Sequence, residues 1–287
     1  MVMKLGYNTN GLAHHSLFDG LQLLVDTGYS SIAITVDHYS LNPFSPDNEK
    51  QIEQVAQFLA DNHLDSVIET GARFLLDPNV KHSPTLLDPN QDQVQRRIKF
   101  INYCIDLASK FGSSCVSMWS GNKPTGMAFP DALELLKTNL RPIIEHAEEQ
   151  HVDVGFEPEP GMLIDTTGRF ERLVHIVDSP MFKMTMDIGH LFCLNEVPIG
   201  SYIEKWKDKI VNVHIEDMCT GVHDHLMFGD GQIYFPPVIE ALVNADYKGG
   251  IHVELSRHSH DAANAVRKSH DFLKPIIDDA QPPRNSG

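Results

Sequence analysis

The 287-residue sequence predicts a single-domain α/β fold, one (β/α)8 TIM barrel. Three observations carry this. Eight short apolar runs alternate with amphipathic helical stretches, no composition break divides the chain, and ligand-type side chains recur where the later runs end. The barrel is expected over residues 1–280, with QPPRNSG at 281–287 a loose tail. A doubly wound sheet is the competing arrangement, because strand counts read from sequence are error-prone.

The runs are Lys4–Asn8, Ser31–Val36, Ser66–Glu69, Ser114–Met118, Val152–Glu157, Phe182–Asp187, Ile210–Ile215 and Gly250–Leu255. Ser45-Pro46 reads as the N-cap and first position of the second helix, and Ile52, Val55, Ala56 and Leu59 follow at helical spacing. Val94, Ile98, Ile101, Ile105 and Ala108 make one stripe in the third helix. Pro130 opens the fourth, where Leu133, Leu136, Leu140 and Ile143 do the same and Pro142 is expected to introduce a kink. Helical patterns also flank the last run. Two connections are unusually long, 71–90 after the third run and 216–235 after the seventh. Both leave the C-terminal ends of strands, where barrel enzymes build their active sites.

A formal net charge of −16 opposes non-specific binding to nucleic acid or anionic membrane, so neither is an expected partner. The opening MVMKLGYNTNG lacks an apolar core of signal-peptide length, and no run approaches transmembrane length. Cys104, Cys115, Cys193 and Cys219 are widely spaced with no CxxC, which suits reduced thiols in a cytoplasm.

The last four runs converge on chemistry. The fifth ends in FEPEPG, giving Glu157 and Glu159; the sixth in MDIGH, giving Asp187 and His190. The seventh gives His214, then Glu216 and Asp217; the eighth gives Glu254, with Arg257, His258 and His260 beyond it. In a parallel barrel these ends meet at one mouth, so Glu157, Asp187, His214 and Glu254 form a three-carboxylate, one-imidazole set. Hard oxygen ligands with one imidazole suit a divalent ion such as Mn²⁺, Mg²⁺, Co²⁺ or Zn²⁺. Unrelated polar strand ends, with His214 a satisfied core histidine, are the bland alternative.

The order Glu, Asp-x-x-His, His, Glu on strands five to eight, with FEPEPG, MDIGH, NVHIED and GDGQIYF, resembles the xylose isomerase-like TIM-barrel superfamily over nearly the whole chain. That group includes sugar and sugar-phosphate isomerases and epimerases, inosose-processing enzymes and endonuclease IV-type nucleases. The resemblance implies that Glu157, Asp187, His214 and Glu254 are shared metal ligands. It further implies that His190 touches substrate or a further metal. The nuclease members carry additional histidines after strands three and four, where this chain reads IETG and SMWSG. Where they have Asp-x-His, this chain has His223-x-His225, so His190, His223 and His225 are candidates for a second metal or for substrate. The ketohexose epimerases' arginine six residues after the seventh-strand histidine is replaced by Thr220. Pairing of chains into a homo-oligomer is frequent in the family.

The implied chemistry is proton transfer through an enediolate on a small polyhydroxy carbonyl substrate, with Glu157 and Glu254 exchanging the α-proton. A lyase or dehydratase uses the same first step. A phosphodiester hydrolase is disfavoured by the charge and by the missing histidines. Arg73, Lys81, His82, Trp119, Glu159 and Arg257 lie where they could contact substrate: the guanidinium groups for an oxyanion, Trp119 as a stacking wall. Surface ion pairs and core packing are the ordinary readings of the same residues.

Overall fold

Eight parallel strands close on themselves in the order β1-β10-β7-β6-β5-β4-β3-β2. They are β1 (Lys4–Asn8), β2 (Ser31–Thr35), β3 (Asp65–Glu69), β4 (Cys115–Met118), β5 (Asp153–Phe156), β6 (Phe182–Asp187), β7 (Ile210–Ile215) and β10 (Gly250–Val253). This computed structural model describes residues 3–280. The expected tail, 281–287, lies outside the described residues. Each expected run is a barrel strand; β1, β6 and β7 match at both ends, and the others shift by one or two residues at one or both ends. The shifts place Glu157 and Glu254 just past the strands that carry them.

Helices α1 (Leu17–Thr27), α2 (Asn48–Asp61), α3 (Gln91–Phe111), α4 (Phe129–Gln150), α5 (Thr167–Val177), α6 (Ile188–Cys193), α7 (Ile199–Trp206), α8 (Pro236–Asn244) and α9 (Ala262–Ala280) return the chain between strands. The α3 stripe is buried from Val94 to Ala108 as its spacing requires. Between barrel and helices, Phe170 of α5 stacks on Phe156 and Phe182 and meets Trp206 edge-on. Aromatic clusters of this kind seal a helix to a sheet through large apolar burial.

Three local expectations change. α2 begins at Asn48, not after Ser45. The Ser45 hydroxyl accepts from the Asp47 amide and its carbonyl from the Asn48 amide, so Ser45-Pro46 forms a turn ahead of the helix. α4 starts one residue before Pro130 and continues through Pro142. The 216–235 connection is not simply a loop: β8 (Asp217–Cys219) and β9 (Val222–Leu226) pair as an antiparallel hairpin. The hairpin's arms, DMC and VHDHL, are three and five residues long, too short for an apolar alternation to mark them.

The barrel interior holds a chain of buried polar side chains. Ser31 Oγ lies 2.8 Å from His252 Nε2, and His252 Nδ1 lies 2.8 Å from Asn212 Oδ1. Asn212 in turn donates to Glu69 Oε1 at 3.2 Å. This buried column, tightly satisfied as buried polar groups must be, runs up the barrel axis to the mouth. No helix among the described residues is long and apolar enough to cross a membrane, and all four cysteines are free thiols.

Candidate metal centre and active site

The C-terminal mouth gathers the four expected residues. His214, the penultimate residue of β7, is buried, and its Nδ1 lies 3.1 Å from Glu157 Oε1, 2.9 Å from Glu254 Oε2 and 4.0 Å from Asp187 Oδ2. Candidate ligand atoms of Glu157, Asp187, His214 and Glu254 all lie within 4.8 Å of one another.

Asp187 shows how local structure prepares the site. One carboxylate oxygen, Oδ1, caps α6 by accepting from the His190 amide at 2.7 Å. The other, Oδ2, is buried and has no hydrogen-bond partner. An orphaned carboxylate oxygen facing two further carboxylates is costly unless a cation completes it. The donor set therefore fits a divalent ion.

Electrostatics agree. Burial alone would raise the Glu254 carboxyl, but the charge and hydrogen bond of His214 outweigh it and hold Glu254 below the usual carboxylate range. Burial likewise opposes charge on His214, and Glu69, Glu254 and Glu157 overcome it, raising the imidazole well above its ordinary value. Glu157 is pushed up to about 8, chiefly by burial and against the pull of His214.

A second donor cluster adjoins the first. His190, His223 and His225 bring ligand nitrogens together, with His190 Nε2 and His223 Nε2 only 3.0 Å apart. Glu159 lies 3.6 Å from His223 and 3.9 Å from His190. Burial lowers His190 to about 4, so it is a neutral ligand-ready imidazole. Glu216 is wholly buried 3.8 Å from His225, and neither of its oxygens has a hydrogen-bond partner.

The remaining expected contacts line a cleft of about 200 Å³ above the cluster: Arg73, Lys81, His82, Trp119, Glu159 and Arg257 all reach it. Their side chains are not equally free. The Arg73 guanidinium donates to the Asn10 carbonyl and faces Asp37 at 3.6 Å; Arg257 pairs with Asp224. Lys81 is exposed at the rim. His82 is lowered to about 4 by burial and then by the cations Lys81, Arg97 and Arg73. Trp119 carries the buried Arg97 guanidinium against its ring, 4.7 Å from the centroid.

Sequence reasoning missed Glu69, whose Oε1 sits 2.8 Å from His214 Nε2, and Asn10, which donates to Glu254 Oε1 at 2.6 Å. Glu69 had a readable signal, a carboxylate closing the third strand. Asp217 proved structural. Its carboxylate accepts from the Met218, Gly229, Gly231 and Ile233 amides and so folds the GDG segment over the mouth.

A barrel with a carboxylate–imidazole centre at its C-terminal mouth is a recognisable class. The chain belongs to the xylose isomerase-like TIM barrel family, whose profile matches residues 21–276. It is 22% identical over 258 residues to L-ribulose-5-phosphate 3-epimerase UlaE of Escherichia coli, covering 88% of this chain and 87% of that one. It is 29% identical over 144 residues to inosose dehydratase of Lacticaseibacillus casei, covering 44% of this chain; the match spans about half of that relative, 48%. Among solved structures, a D-tagatose 3-epimerase-like protein superposes with a TM-score of 0.81 at 22% identity, covering 97% of this chain and 98% of that one. The IOLI protein with a bound zinc atom superposes with a TM-score of 0.77 at 15% identity, covering 98% and 100%.

Proposed function

We propose that the protein is an enzyme, a metal-dependent isomerase or epimerase of a sugar, cyclitol or related polyhydroxy carbonyl compound. The observation that carries this reading is the convergence of Glu157, Asp187 and Glu254 on His214 Nδ1, with Asp187 Oδ2 left without a partner. A divalent ion held by these four residues, of the Mn, Mg, Co or Zn type, supplies Lewis acidity toward the substrate's carbonyl group. Glu157 and Glu254 handle the proton. One carboxylate takes the α-proton, and the C–H electron pair moves toward the carbonyl to give an enediolate. The other, carrying a proton, returns it to carbon from the opposite face. Asn10 orients Glu254, while His190, Arg73, Lys81, His82 and Trp119 contact the substrate's remaining groups. A second ion at His190, His223 and His225 is the variant of this reading that a metal count decides.

The relationship to inosose dehydratase favours one alternative, a dehydratase that makes the same enediolate and then expels a β-hydroxyl. Elemental analysis of the native protein and of Glu157→Gln and His223→Ala is the first test. One ion per chain, lost in Glu157→Gln and kept in His223→Ala, is the expected result. Solvent-deuterium uptake at the α-carbon, without loss of water from the substrate, then separates epimerase from dehydratase. No ion under any loading condition overturns the mechanism.

A further inference from the structure

The central cleft does not end at the metal centre. Lys81, His82 and Trp119 line it and also line a second, outer groove of about 650 Å³. The first space suits one small sugar. The second, within the roughly 300–1,000 Å³ of ordinary ligand pockets, leaves room for more.

Both walls of the outer groove are held. On one side, Asn139 of α4 donates to the Leu86 carbonyl at 2.7 Å, and Leu86 and Leu87 are buried beneath the loop. On the other, the Leu163 amide donates to the Gly121 carbonyl at 3.0 Å and the Ile164 amide to Ser120 Oγ at 3.2 Å. The walls touch at Gly121, which has a φ of +84°; a Cβ there would stand 2.6 Å from Thr85 Oγ1. This is a preformed groove.

Its lining is mixed: hydroxyl and amide groups stand beside Lys81, Lys123 and Asp88. Trp119 stands at the junction, backed by Arg97, and Thr85, Asn122 and Thr125 present hydroxyl and amide groups. The Lys123 ammonium is held by the Met127 carbonyl at 2.7 Å, and Asp88 also lines the groove. An aromatic face beside hydroxyl and amide groups suits a sugar ring.

We infer that the substrate is a two-unit carbohydrate: a keto sugar at the carboxylate–imidazole centre and a glycosyl unit in the outer groove. This rests on the sugar-isomerase reading above. The test is calorimetric binding of fructose, isomaltulose and lactulose to the manganese-loaded protein; the latter two are fructose bearing one neutral glycosyl unit. Deuterium uptake is followed on all three. The glycosides are expected to bind at least about tenfold more tightly than fructose. Asn122→Trp, an exposed position in the groove wall, is expected to bring that ratio close to one. Equal binding to the native protein, with exchange intact, overturns the two-unit substrate and leaves the isomerase reading standing. A preference that survives Asn122→Trp and Val80→Trp alike also overturns it. Neither binding nor exchange with any of the three overturns the two-unit substrate, while the isomerase reading stands or falls on the metal count.

Discussion

Glu69 Oε1 lies 2.8 Å from His214 Nε2, on the far side of the imidazole from the carboxylates of Glu157 and Glu254 that meet Nδ1. Accepting from Nε2–H fixes which nitrogen faces the metal position, the usual task of a carboxylate behind a ligating histidine. Glu69→Ala is expected to weaken Mn²⁺ or Zn²⁺ affinity by roughly 10–100-fold. Titration calorimetry checks this; unchanged affinity would remove Glu69 from the centre.

Metal binding should depend on pH through His214. Its raised value means that the metal-free site carries an imidazolium at neutral pH, and ligation must displace that proton. Glu157, pushed up to about 8, must also shed its proton, so affinity is expected to rise by about tenfold to a hundredfold per pH unit across the neutral range, with proton release. Calorimetry in two buffers of different ionisation enthalpy measures it. The metal-free fold has the opposite dependence. A histidine raised on folding contributes stability fully below about pH 6.5, and that contribution is lost as pH climbs through the raised value.

Glu157→Gln should retain the fold, lose the ion and reduce α-proton exchange by at least about 10²-fold, the lower end for a lost general base. Circular dichroism and deuterium uptake together decide the matter. Native-like exchange by a folded Glu157→Gln protein would place the base elsewhere.

The polar barrel column predicts a packing effect far from the mouth. A Cβ on Gly6 would lie 2.8 Å from His252 Nε2 and 3.0 Å from the Ser31 carbonyl. Gly6→Ala is expected to cost about 1–3 kcal/mol through overpacking, seen as a lower denaturant midpoint. An unchanged midpoint would mean that His252 can move aside, against its bonds to Ser31 and Asn212.

The fold and the residues of the candidate centre were legible because periodicity and residue chemistry are local. Eight apolar runs and the α3 stripe are written in consecutive side chains, as are Glu157, Asp187-x-x-His190, His214 and Glu254 at strand ends. Other features were not. Ser45-Pro46 suits a turn as well as a cap, and only packing put the start of α2 at Asn48. The β8–β9 hairpin has arms of three and five residues, too short for an alternation to reveal them.

By itself the sequence determined that a barrel would form and which side chains could reach its mouth, since burying apolar stripes at two periods leaves few other arrangements. Only the tertiary structure decided the partnerships. Glu69 finds His214 across 145 residues, and Asn10 finds Glu254 across 244. Asp217 folds the GDG segment rather than ligating, and Arg73 and Arg257 spend their charge on Asn10, Asp37 and Asp224. Hydrogen bonds and ion pairs act over a few ångströms, and closure of the barrel sets which residues fall within that range.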